Sequence, residues 1–161
     1  MEIHMIDIQI NGTAKNIDRD KMHAAIEFLA IKLMGRRLTN NIGIEVTLTK
    51  GLRRKKRAYA FCAVADDNYR PRYFDIEIDA DLSQKVTLEA LAHELVHVKQ
   101  YARGELRESY VASRTKVFWK GNRVDADSID YWELPWEIEA HGRERGLYLY
   151  LMQYFNDNGI N

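Results

Sequence analysis

Two periodicities meet inside one stretch of this chain. Phe74, Ile76 and Ile78 alternate with Asp75, Glu77 and Asp79, and soon afterwards Leu88, Leu91, Leu95, Val98 and Ala102 recur at spacings of 3, 4, 3 and 4. The first pattern is that of a half-buried strand and the second that of an amphipathic helix. A strand running so directly into a helix has to bury its apolar face against helical partners, so sheet and helix share one core. Thr87 is placed to cap the helix, expected from about Leu88 to Ala102, and Gly104 to stop it.

The same two signals organise the rest. Ile6, Ile8 and Ile10 form a short strand ending at Asn11-Gly12, and Ile42, Ile44, Val46 and Leu48 form the clearest strand in the chain. Between them Met22, Ile26, Leu29 and Leu33 predict a helix, capped by Asp18 or Asp20 and running to about Gly35. Gly51 to Arg57 reads as a turn. Ala58 to Ala65, apolar on both faces, reads as a strand central in the sheet, and a further strand runs from Tyr73 to Asp79. Residues 105 to 115 are ambiguous. Gly121-Asn122 joins a small hairpin, and Pro135 opens a last helix reaching about Asn156. The expectation is one α+β domain over residues 1–161. It has a small, mostly antiparallel sheet packed on an N-terminal helix, the helix after Thr87 and a long C-terminal helix.

Composition excludes several classes. With 24 basic and 24 acidic residues, no global field draws the chain to nucleic acid or to a membrane surface. No apolar run approaches the roughly 20 residues of a membrane span. The single cysteine, Cys62, permits no internal disulfide and sits among apolar neighbours as a small buried hydrophobe. Met1 to Asp7 carries acids and a histidine where a signal peptide needs a basic start and an apolar run. The expected location is therefore the compartment of synthesis, the cytoplasm.

Inside the second periodic segment stands His93-Glu94-Leu95-Val96-His97. On a helix, residues four apart share a face, so two imidazoles can point at one ion, which zinc accepts at about 2.0–2.1 Å from each nitrogen. Glu94 lies roughly 100° round the helix from His93, close enough to reach a water on that ion without being a ligand. This division of labour suits metal-assisted hydrolysis. The bland alternative is a solvated helix carrying two surface histidines.

A catalytic zinc usually takes three protein ligands. The last helix offers Glu137, Glu139 and His141. Glu139 lies on the same side as Gly142 and Gly146, which cost roughly 1 kcal/mol each against alanine in a helix. Such glycines persist where another backbone comes close, and on this ground Glu139 is favoured. Glu137, Glu144 and Tyr148 share the opposite flank, and Glu137 and His141 stay open as alternatives.

These residues resemble the zincin superfamily of metallopeptidases, in which a helical HExxH follows a small sheet and a later helix completes the site. The resemblance implies His93 and His97 as zinc ligands and Glu94 as general base. Glu139-Ala140 is similar to the third-ligand pattern of the gluzincins and of the ImmA/IrrE-like peptidases. The acid that often follows four residues later is replaced by Arg143. The metzincin extension is absent, with Gln100 and Arg103 at its positions, and no histidine lies between His97 and His141 to serve as in SprT-like proteases. The run Pro135 to Ala140 also looks like small peptidase-like proteins of phages and bacteria. Such proteins act inside the cell on a protein or peptide substrate.

Zincins lay an extended substrate along an edge strand before the motif helix, which places Tyr73 to Asp79 as the substrate strand. The oxyanion donor stays open among Tyr131, Tyr110, Tyr101 and Arg143. Arg53 to Arg57 could meet phosphates or an acidic protein, though a charged loop in water explains the run equally well. The alternative to a peptidase is a zincin-like scaffold that binds protein or nucleic acid without catalysis.

Overall fold

The computed structural model describes residues 5–161, so the N-terminal stretch bearing on a signal peptide lies partly outside the described residues. The chain is α+β, as its periodicities predict. A four-stranded sheet has the order β1-β2-β4-β3, formed by β1 (Asp7–Asn11), β2 (Gly43–Thr49), β3 (Ala60–Val64) and β4 (Tyr73–Asp79). The sheet is mixed rather than mostly antiparallel: β1–β2 and β2–β4 are parallel and only β3–β4 is antiparallel. Parallel pairing needs long crossovers. The segment between β1 and β2 supplies one as α1 (Arg19–Thr39), capped by the Asp18 carboxylate, which accepts from Lys21 N at 2.7 Å. Gly35, the expected end of this helix, is a left-handed kink with φ of 77°, after which the helix resumes.

The strand register aligns Ile10, Val46, Ile76 and Cys62 in one row and Gln9, Glu45, Asp75 and Ala63 in the opposite one. The first row joins the apolar core and the second faces outward, so helices cover a single side. The basic run holds a short helix, α2 (Leu52–Lys56), anchored where Asp79 accepts from Arg53 N at 2.7 Å.

α3 (Gln84–Ala102) begins three residues before Thr87, because Ser83 caps it and accepts from Val86 N. Thr87 instead turns its hydroxyl back to Ser83 O at 2.9 Å. The ambiguous segment pairs as β5 (Leu106–Val111) with β6 (Arg114–Trp119), which continues to β7 (Asn122–Val124) as a second, antiparallel sheet. α4 (Pro135–Asp157) closes the molecule, burying Trp136, Ala140, Leu147, Leu151 and Phe155. Among the described residues no helix is long and apolar enough to cross a membrane.

Two strand roles are exchanged relative to expectation. β4 lies inside the sheet between β2 and β3, while β3 has β4 as its one neighbour and forms the edge. β3 is apolar on both faces because α3 covers one side and its small residues line a cleft.

Candidate metal centre

Every residue of α3 from Leu91 to Gln100 is buried, which leaves no room for the surface-histidine alternative. The apolar stripe anchors α3 in the core, and His93 and His97 point from an adjoining flank toward α4. There Glu137, in the first turn of α4, meets them. His93 Nε2 and His97 Nε2 are 3.1 Å apart, His93 Nε2 lies 3.2 Å from one Glu137 oxygen, and His97 Nε2 lies 3.4 Å from the other. The three residues form a compact, mostly buried group able to hold a metal ion.

The outer ring nitrogens determine what these atoms can do. His93 Nδ1 is 2.8 Å from a Glu144 oxygen, and an ionised carboxylate only accepts, so Nδ1 carries the proton. His97 Nδ1 is 2.8 Å from Gln100 Oε1. The amide of Gln100 is oriented by its other end, since Nε2 donates to Trp136 O at 3.0 Å and to Glu139 Oε1 at 2.9 Å. Its oxygen therefore accepts from His97 Nδ1–H. In the neutral tautomers that these contacts select, the two imidazoles present bare Nε2 lone pairs to each other and to a carboxylate. Three lone-pair donors converge with no proton of their own between them, and a cation satisfies such a set.

Glu139, the favoured third ligand on sequence grounds, is not part of this triangle. Its carboxylate lies 2.8 and 2.9 Å from Lys99 Nζ and is held by Gln100. These contacts, with burial working against them, keep its pKa below the ordinary carboxylate range. Gly142 and Gly146 face open space, with nothing within 4 Å of an added Cβ, so no close backbone approach singles out Glu139. The α4 flank turned to the site is the one that holds Glu137, His141 and Glu144.

Burial alone would raise the Glu137 carboxyl. The adjoining His93 and His97 rings, and a hydrogen bond from Tyr131, instead hold it well below the usual range. Burial likewise opposes charge on His93, yet Glu137, Glu94 and Glu144 outweigh it and raise its pKa. Glu94 is itself buried, which raises its carboxyl above the normal value against the pull of the two histidines. Such a shift moves a carboxylate toward general-base duty.

The site opens into a cleft of about 890 Å³ bounded by α3, β3, β5 and the turn before α4. Tyr131 stands at its mouth, donating to Glu137 Oε2 at 2.9 Å and lying 3.0 Å from His141 Nε2. Of the other oxyanion candidates, Tyr101 and Tyr110 bond Glu108, and Arg143 lies beside Glu139. Cys62 lines the cleft wall, where burial and then the Glu94 charge push its thiol pKa well up. Two residues, Glu144 and Gln100, support the ring nitrogens in roles the sequence does not assign. Glu144 carried a signal, since it follows Glu137 by seven residues and shares its flank. Gln100 carried none, because its role depends on Trp136 and Glu139 arriving from another helix. No protein-family model, curated protein or solved structure matches the chain.

Proposed function

We propose that this chain is a zinc-dependent peptidase of the zincin type, with His93, His97 and Glu137 as ligands and Glu94 as general base. The observation that carries the reading is the donor triangle. The two Nε2 atoms are 3.1 Å apart, with one Glu137 oxygen 3.2 Å from the first and the other oxygen 3.4 Å from the second; ligands held tetrahedrally at about 2.0–2.1 Å from zinc stand about 3.3 Å apart. Zinc bound there would activate a water and polarise a scissile carbonyl.

The chain's own groups supply the rest. The buried Glu94 carboxylate takes a proton from the attacking water and hands it to the leaving amine. The Tyr131 hydroxyl, freed from Glu137 once that carboxylate serves as ligand, donates a hydrogen bond to the developing oxyanion. The free edge of β3, not β4, offers unpaired backbone groups along the cleft to an extended peptide.

Elemental analysis of untagged protein tests the site. About one zinc per chain is expected in wild type and in Glu139→Ala, and none in Glu137→Ala. Absence of zinc from wild type, with none taken up on titration, sinks the reading. Glu94→Gln separates catalyst from scaffold: zinc content should stay unchanged while peptide hydrolysis falls by about 10²-fold or more. An unchanged hydrolysis rate would remove Glu94 from the role.

A further inference from the structure

The second sheet has two chemically opposite faces. Register pairs Arg107 with Phe118, Ser109 with Lys116 and Val111 with Arg114, and β7 adds Arg123 opposite Phe118. These side chains share one face. It carries four cations and no strand residue of negative charge. The other face holds Leu106, Glu108 and Trp119 and turns toward the cleft, with Trp119 against Trp136 at 6.3 Å. None of the four cations lies within 4.0 Å of a carboxylate among the described residues, whereas Lys56, Lys99 and Arg145 are all paired. In a chain with equal numbers of acids and bases, such segregation leaves a locally positive surface.

Aromatic rings interleave with the cations. The Arg107 guanidinium lies 4.3 Å from the Phe118 ring centroid and 4.9 Å from that of Tyr69, a residue 69% exposed. Cations that neutralise phosphates, together with the exposed Tyr69 ring beside them, suit unpaired bases. In the Arg53 to Arg57 run, by contrast, Lys56 is bound to Glu77 at 3.5 Å, and the cations sit on a short helix rather than on a strand face.

From this arrangement we infer that the β5–β6–β7 face binds single-stranded nucleic acid, with Arg107, Arg114, Lys116 and Arg123 on phosphates and Tyr69 stacking on a base. The surface is separate from the metal centre, so the binding stands or falls independently of peptidase activity.

The test is fluorescence anisotropy with a labelled oligothymidylate of about 12 nucleotides. Saturable binding is expected at about 50 mM salt, weakening with salt at a log–log slope of roughly −2 to −3, from about −0.7 per phosphate contact. Arg114→Glu combined with Arg123→Glu, both exposed, should weaken binding at least tenfold while leaving circular dichroism and zinc content unchanged. Tyr69→Ala should weaken it severalfold with the slope unaltered. No saturable binding, or equal binding by the double variant, overturns the inference. Tighter binding of a duplex of the same length, or of a polyglutamate peptide, overturns it in favour of that partner class.

Discussion

Glu139 shows how one residue can belong to a site without touching its centre. Through Gln100 it holds the amide whose oxygen accepts from His97 Nδ1–H, so it acts on the Nε2 lone pair at two removes. Gln100→Leu should therefore release the His97 ring and weaken zinc binding by about 10–100-fold without abolishing it. Glu139→Ala should weaken it less, because Trp136 O still orients the amide. Competition against a chelator of known affinity measures both. A Glu139→Ala protein devoid of zinc would return Glu139 to the ligand set. The spacing of His93, Glu94 and His97 is readable along the chain because a helix converts a separation of four into a shared face. The choice between Glu137 and Glu139 is not, because both lie in one turn of α4 and only the rotation of α4 against α3 selects between them.

At the level of elements, the alternation in β2 and β4 and the 3-4-3-4 stripe of α3 were legible, while strand order was not. The apolar residues of β3 predict a central strand, yet a strand lining a cleft is as apolar as one inside a sheet. The loop that brings β3 back to β4 closes on Asp66, whose carboxylate accepts from Arg72 N at 2.9 Å, Tyr73 N at 3.1 Å and Asn68 N at 3.2 Å. Its slight burial opposes charge, but these backbone bonds prevail and lower its pKa. With the folded pKa below the unfolded value of about 3.9, its stabilisation is complete above that value. It is lost as pH falls through the folded pKa. Asp66→Asn should cost under about 1 kcal/mol near neutrality, as befits a solvent-screened group, and nothing near pH 2. Paired urea melts of wild type and variant at the two pH values check this. A gap that persists in acid would show that the charge is irrelevant to the loop.

Over the whole molecule, the proposed ion would tie α3 to α4 where β5, β3 and the turn before α4 surround a common cleft. Binding to the folded state alone stabilises it, by about 2.7 kcal/mol at a free zinc concentration 100 times Kd. Thermal melting should accordingly move upward with zinc and downward with chelator in wild type, and should not respond in Glu137→Ala. Equal responses in both proteins would place the metal elsewhere. The α+β class and the helical HExxH were within reach of the sequence alone, because both rest on periodicities that local backbone geometry imposes. The mixed sheet, the edge position of β3, the third member of the donor triangle and the Glu144 and Gln100 supports were decided by tertiary structure. Each depends on how separate elements pack, and packing angles are not written in the spacing of residues along one element.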